Sequence, residues 1–524
     1  MTGVAWMDGP TASVDRDGPD LDFTPVDLVN DPERGLLPLI AERLRHDPSA
    51  LAVDDGTRRL TRADLLGEIA ALAAVIAASV PAGAPVGVRL PDSASTPIAW
   101  LACLAAGCPA ILLDPADAPE RFARIATASR LAAVISDQPA AGHDVIAPNG
   151  HPPAPLQPRA AAVGAPAFVV WTSGSTGAPK GIVQSQRSVT FRSGLLINSG
   201  HLSAADRYLS LNTASSMGGL LNAIASFVSG ACLHRVDIAE QGLTGVLDRI
   251  EQSEITAMIA VPALYRALSR IDGAAKQLAS LRTVSSNGEA LLTADLDLLR
   301  DVLPDGCAIQ MIYGATETQA GMRFVPAGEV PQEAQVPAGR PIPGVEWVIV
   351  GEDGMAVPAG HVGELWIRSR YTAIGEWEDG TCVPGRLHTD GVDGARRYAM
   401  GDLVRLREDG VFVVVGRIDR QMKLDGYRVE PVEVEAVLRA QPDVLDAAVL
   451  PVSHGAVTRL IAFVAVGAAS PDGLTGRLRK ALAAALPPAM RPQRIHVLSE
   501  LPLLPGNKID PEKLRLIDAG SRRR

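Results

Sequence analysis

A chain of 524 residues is longer than one hydrophobic core organises, which implies at least two domains. Apolar residues make up 47% and charged residues 21%, the balance of a core-forming globular protein and not of a disordered one. The net charge of -10 is spread along the chain, which speaks against a nucleic-acid partner, since that would require a basic face.

Residues 1–25 are polar, with scattered Gly, Pro and Asp, and read as a flexible leader. They hold no basic segment leading into an apolar stretch, and no run of 18 apolar residues occurs anywhere, so neither a secretory signal nor a membrane span is expected. The five cysteines (Cys103, Cys108, Cys232, Cys307 and Cys382) show no metal or disulfide spacing and read as reduced thiols of a cytoplasmic protein. The apolar pattern predicts helices at 36–45 and 60–78, the second opened by Thr61 as N-cap, then a strand at 85–89, a helix at 96–106 and a strand at 109–113. Strand–helix alternation continues to about residue 320, with strands at 167–171, 207–211, 257–261, 283–285 and 308–312. Helices at 220–229, 243–253 and 263–271 lie between them. Such alternation implies mostly parallel sheets covered by helices. Past residue 340, dense Gly and Pro and short strands at 364–368, 403–407 and 411–415 read as a small β-rich subdomain. A compact α+β unit follows, with helices at 431–440 and 474–486 and strands at 447–452, 460–466 and 494–497. The expected organisation is thus a leader (1–25), a large α/β domain (26–416) and a small α+β C-terminal domain (417–524), and the basic end Ser521-Arg522-Arg523-Arg524 reads as a solvated tail.

The segment from Val170 to Gly181 carries the strongest chemical signal. A strand runs into Thr172-Ser173-Gly174-Ser175-Thr176-Gly177 and then Lys180. Glycines let backbone N–H groups approach an anion, hydroxyls add donors and the lysine adds charge, which suits the phosphates of a nucleotide. The residue after the lysine is Gly181, so this is not a G-x-x-x-x-G-K-[ST] loop.

This string resembles the phosphate-loop signature of the adenylate-forming superfamily: acyl- and aryl-CoA synthetases, adenylation domains of nonribosomal peptide synthetases, and luciferases. Further segments resemble the family's motifs in its order, from Leu60-Thr61-Arg62 and Leu104-Ala105-Ala106-Gly107 to Asn287-Gly288-Glu289, Tyr313-Gly314-Ala315-Thr316-Glu317, Met400-Gly401-Asp402, Gly416-Arg417-Ile418-Asp419 and Gly506-Asn507-Lys508. The match spans about residues 30–515 and is closest to the peptide-synthetase branch.

The resemblance implies roles. Asn287, Gly288 and Glu289 flank the adenine, Tyr313 stacks on it, and Thr316 donates to the α-phosphate. Glu317 holds Mg²⁺, Asp402 accepts from the ribose hydroxyls, and Arg417 lies near the sugar or pyrophosphate. Asp419 is the hinge, and Lys508 reaches in from the small lid domain to the α-phosphate and the carboxylate. ATP and Mg²⁺ would convert a carboxylic acid to acyl-AMP. A thiol, either CoA or the phosphopantetheine arm of a separate carrier protein, would then take the acyl group. Such enzymes often serve secondary metabolism.

The aspartate that holds an amino acid's ammonium in peptide-synthetase domains is absent: Met217 stands there. An ammonium without a carboxylate partner is costly to bury, so an ordinary α-amino acid is not the expected substrate. The remaining pocket lining implied by the resemblance is Gly218, Leu221, Ser285, Asn287, Ile312, Ala320 and Gly321, with Ser285 and Asn287 able to read a hydroxyl, amide or amino group or, for Asn287, to serve only the nucleotide. Met400 and the order Gly506-Asn507-Lys508 also depart from the family, and 371–397 is irregular against it. Other readings are an acid–CoA ligase, an amide-forming or unusual oxyacid-activating ligase, and a non-catalytic scaffold. Retention of Lys180, Glu317, Asp402 and Lys508 argues against the last.

Overall fold

The computed structural model describes residues 5–10, 25–26, 34–173, 179–389, 393–418, 422–424, 427–429, 431–454, 457–467, 473–503 and 509–521. The fold is the expected mixed α/β layering. One sheet is built on a parallel run of Pro166–Ser173, Ala110–Leu113, Val86–Arg89, Ala133–Ser136 and Val145–Ile146. A second is built on a parallel run of Ala308–Gly314, Thr283–Ser286, Ala257–Ala260, Arg207–Ser210, Cys232–His234 and Leu51–Asp54. Each carries antiparallel edges that strand–helix alternation does not predict. Pro179–Ser185 folds back on Pro166–Ser173 and Gly375–Glu378 adds to it, and Gln319–Val325 folds back on Ala308–Gly314.

One hydrophobic core joins the inner faces of both sheets. It gathers the helices Leu36–His46, Arg62–Ser79, Ser95–Ala105, Gln186–Gly200 and Met217–Ser229 and reaches Ile367, Tyr398 and Phe412 of a third, antiparallel sheet. Every residue of Ser95–Ala105 is buried, which explains its lack of polar side chains beyond Ser95 and Thr96. Separate clusters line the outer faces, under Ile238–Gln252, Pro262–Ser269 and Thr293–Val302 on one side and Pro119–Ser129 on the other. Thr61 caps its helix as expected, in a reciprocal capping box with Asp64.

Two contacts lie close to the expected boundaries. Within the expected leader, Met7–Asp8 is a strand on the edge of the antiparallel sheet, opposite Trp347 and Glu346. The Gly9 N–H also donates to the Val345 carbonyl at 2.9 Å, and a Cβ on Gly9 would lie 2.1 Å from the Ile342 oxygen, so glycine is required there. At the other end, Phe412–Arg417 pairs in the antiparallel sheet through Arg417, and the Ile418 N–H donates to the Gly401 carbonyl. The small unit packs Pro431–Arg439 and Leu474–Ala485 on a sheet of Asp446–His454, Val457–Ala465 and Arg494–Leu498.

Candidate active site

The parallel strands of the second sheet all run the same way, so Ser210, Ala260, Ser286 and Gly314 finish on one edge. In sheets of this kind ligands bind outside the carboxyl ends of the strands. Tyr313, Thr316, Glu317 and Asn287 all lie at that edge.

The phosphate-loop candidate falls between the paired strands Pro166–Ser173 and Pro179–Ser185, where Thr172 lies opposite Lys180 and Ser173 opposite Pro179. Gly174, Ser175, Thr176 and Gly177 lie outside the described residues, as do Asp419 and Lys508. The Lys180 ammonium is 3.4 Å from the Glu376 carboxylate. Arg386 joins that carboxylate to the next one, with its guanidinium 3.5 Å from Glu376 and 3.0 Å from Glu317. The same guanidinium lies 5.8 Å over the Tyr398 ring. Burial, and then the charge of Glu317, holds the Tyr398 phenol well above its ordinary range. Lys180 and Glu317, far apart in sequence, thus belong to one run of alternating charge. Glu376 and Arg386 are functional candidates that the sequence reading missed; they sit in the irregular stretch 371–397, where no motif marks them.

The loop carrying Thr316 and Glu317 is pinned from behind. Arg192, 3% exposed, donates to the Thr316 carbonyl at 2.7 Å and to the Ala315 carbonyl at 3.0 Å, and Gln184 donates to the Thr316 carbonyl at 2.9 Å. Burial pulls the Arg192 guanidinium down to about 10 against the opposing charge of Glu317, so it stays charged at neutral pH.

Asp402 sits 7% exposed between two donors: the Tyr313 hydroxyl at 2.7 Å on one oxygen and Arg417 at 2.9 Å on the other. Asp402 and Arg417 are cross-strand partners. Gly401 before them has φ +71°, and a Cβ there would also crowd the Arg417 guanidinium at 3.3 Å. Burial and the neighbouring Asp402 charge keep the Tyr313 phenol protonated. A carboxylate accepts only, which is the chemistry that sugar hydroxyls need.

Gly288 takes φ +80°, turning the chain directly after Asn287. Glu289 faces the small unit, where with Asp446 and Glu435 it holds the Arg439 charge in place against the cost of burial. The units meet through polar contacts: Arg270 donates to the carbonyls of Leu445 and Val444 at 2.9 Å each, and Arg266 pairs with Asp446 at 3.4 Å.

The pocket candidates gather on the inner face of the second sheet. Ser285 and Ile312 belong to that face by strand alternation, and Met217 and Leu221 approach it from Met217–Ser229. Met217, Leu221, Ile312 and Ala320 are all buried in the same core, and Gly321 is buried beside the ring of Phe412. Met217 begins its helix directly after the cap Ser216. Ser285 donates to the Gln310 side chain at 2.8 Å. A Cβ on Gly219 would lie 2.1 Å from the Thr213 oxygen, and one on Gly218 would lie 3.0 Å from the Asn212 carboxamide. The glycine pair is therefore a packing requirement of the loop before the helix.

The family model for AMP-binding enzymes matches residues 40–377. The chain belongs to the AMP-binding enzyme family. The model for that family's C-terminal domain matches residues 433–508. By family it is an adenylate-forming ligase. Among curated proteins it is similar to phenyloxazoline synthase MbtB of Mycobacterium sp. (strain MCS), 31% identical over 483 residues, covering 89% of this chain and 40% of that one. It is also similar to the dapdiamide synthesis protein DdaD of Enterobacter agglomerans, 28% identical over 485 residues, covering 91% of this chain and 81% of that one. The solved structure of the anthranilate CoA ligase AuaEII in complex with anthranoyl-AMP has the same fold, with a TM-score of 0.82 at 22% identity over 95% of this chain and 100% of that one.

Proposed function

We propose that this enzyme activates a carboxylic acid with ATP, releasing pyrophosphate, and passes the acyl group from its adenylate to the phosphopantetheine thiol of a separate carrier protein. The observation that carries the reading is the pair of polar chains that reach the end of the second sheet at Tyr313 and Glu317: Tyr313–Asp402–Arg417, suited to a ribose, and Lys180–Glu376–Arg386–Glu317, suited to a triphosphate.

In the first step a substrate carboxylate oxygen attacks the α-phosphorus in line, and the bond to pyrophosphate breaks. Asp402 fixes the sugar, Lys180 and the hydroxyls of the adjoining loop take the β- and γ-phosphates, and Thr316 donates at the α-phosphate. Arg192 keeps Thr316 and Glu317 in register by holding the carbonyls behind them. Mg²⁺ would take Glu317 as a carboxylate ligand beside the substrate phosphates, an oxygen donor of the kind a hard cation needs. Bound there, it would supply neutralisation of phosphate charge.

Lys508 closes on the α-phosphate from the small domain, which turns about Asp419. The polar contacts of Arg266 and Arg270 suit an interface that parts and re-forms. With Met217 where a carboxylate would hold an ammonium, the acid is not an ordinary α-amino acid. Incubation with ATP, an acid panel and either CoA or a holo carrier protein tests the proposal. Acyl-carrier formation, detected as a mass shift, supports it; acyl-CoA formed in preference overturns the acceptor assignment.

A further inference from the structure

A continuous line of carboxamides runs from the core to the pocket wall. The Tyr208 hydroxyl donates to Asn222 Oδ1 at 3.3 Å, inside the core. Asn222 is fully buried and its Nδ2 reaches Ser210 Oγ at 3.1 Å and Asn212 Oδ1 at 3.0 Å. Asn212 Nδ2 in turn donates to Asn287 Oδ1 at 3.2 Å. Ser210 is anchored by Arg235 at 3.4 Å, and Arg235 pairs with Asp92 at 2.7 Å. Burial keeps the Tyr208 phenol protonated.

Each amide's orientation is set by the one before it, because a carboxamide has one accepting end and one donating end. The line ends at Asn287, whose Oδ1 is taken. Among the described residues nothing accepts from its Nδ2. Gly218 belongs to the same device, since a Cβ there would press on the Asn212 carboxamide at 3.0 Å. The other groups on this wall do not offer a charge: Ser285 is spent on Gln310, and Met217, Leu221 and Ile312 are apolar.

We infer that the Tyr208–Asn222–Asn212 relay fixes Asn287 with its NH₂ toward the substrate, so that the enzyme selects acids whose side chain presents a neutral hydrogen-bond acceptor, such as an ether, carbonyl or ring nitrogen, over acids presenting a donor. The inference rests on the adenylation reading and deepens it. Asn212 and Asn222 are positioning residues, and Asn287 is the group that touches substrate. A donor facing a substrate group without an acceptor stays unpaired once the bound acid excludes water, which is where selectivity of this kind arises.

The test is acid-dependent ATP–pyrophosphate exchange with shape-matched methoxy-, ethyl- and methylamino-substituted benzoates and short-chain acids, on wild type, Asn212→Asp and Asn287→Leu. Wild type is expected to favour the methoxy over the ethyl acid by about 10-fold or more in kcat/KM. Asn287→Leu is expected to bring that ratio close to unity. Asn212→Asp keeps shape and still accepts from Asn222, but its carboxylate can only accept, so Asn287 must turn its NH₂ inward and its oxygen to the pocket. The preference is then expected to reverse toward the methylamino acid, which a purely structural role of Asn212 does not predict. Equal exchange with methoxy and ethyl acids in wild type overturns the inference alone, as does an unreversed preference in folded Asn212→Asp. Should that variant not fold, an unchanged ratio in Asn287→Leu overturns it equally. Exchange with no acid in any series refutes the adenylation reading beneath it.

Discussion

Asparagine at position 402 keeps the side chain's shape and replaces one acceptor by a donor. Its oxygen can still receive the Tyr313 hydroxyl, now 2.7 Å from Asp402, but its NH₂ must then face Arg417, now 2.9 Å away, donor against donor. The Arg417 side chain is 44% exposed, so water screens it and the cost to folding stays near about 1 kcal/mol. The nucleotide loses more, because a charged acceptor for sugar hydroxyls contributes about 1.5–3 kcal/mol. That corresponds to a rise in KM for ATP of roughly 10-fold to 100-fold. Asp402→Asn is therefore expected to raise KM for ATP strongly in pyrophosphate exchange while the melting temperature falls by only a few degrees and KM for the acid barely moves. A folded variant whose KM for ATP stays within about twofold of wild type would refute the assignment of Asp402 to the sugar.

Other outcomes follow from the same contacts. Arg386→Gln removes the guanidinium that occupies the Glu317 carboxylate, and the Mg²⁺ concentration for half-maximal exchange is expected to fall several-fold; a rise would mean that Arg386 helps to hold the phosphates. Gly219→Ala puts a methyl where the Thr213 oxygen lies at 2.1 Å, and calorimetry should show a loss of about 1–3 kcal/mol. Burial pushes His234 down to about 4 in the folded state, so below its ordinary value of about 6.5 the unfolded chain takes up a proton that the folded chain refuses. Stability is then level above pH about 6.5 and falls toward pH about 4, by up to about 3 kcal/mol, and His234→Leu should flatten that part of the denaturation profile.

The parallel interior of both sheets was legible because buried strands such as Ala110–Leu113 are unbroken apolar runs and their crossover helices carry helical periodicity. The antiparallel edges were not. Pro179–Ser185 follows the glycine-rich string so closely that loop chemistry masks it, and Gly375–Glu378 is only four residues long. The strand Met7–Asp8 lies in a segment whose composition reads as unstructured, and only its partner Glu346–Val350 makes it a strand.

Among site residues, ordered motifs pointed to Lys180, Glu317, Tyr313 and Asp402. The fold brings Tyr313 to Asp402 directly, and links Lys180 to Glu317 through two residues that no motif names. Glu376 and Arg386 meet because one lies on an added strand and the other beyond the next strand, Thr381–Val383, an encounter with no sequence period. Asn212 and Asn222 escaped notice for a similar reason: their link to Asn287 crosses from one strand end to another.

The central claim is most directly tested by ATP–pyrophosphate exchange over amino, aryl, hydroxy and short-chain acids, with Lys508→Ala beside the wild type. Exchange that depends on the acid and is lost in Lys508→Ala, with ATP binding retained, is the predicted result. Failure of the wild type to bind ATP, or exchange undiminished in Lys508→Ala, would contradict the account.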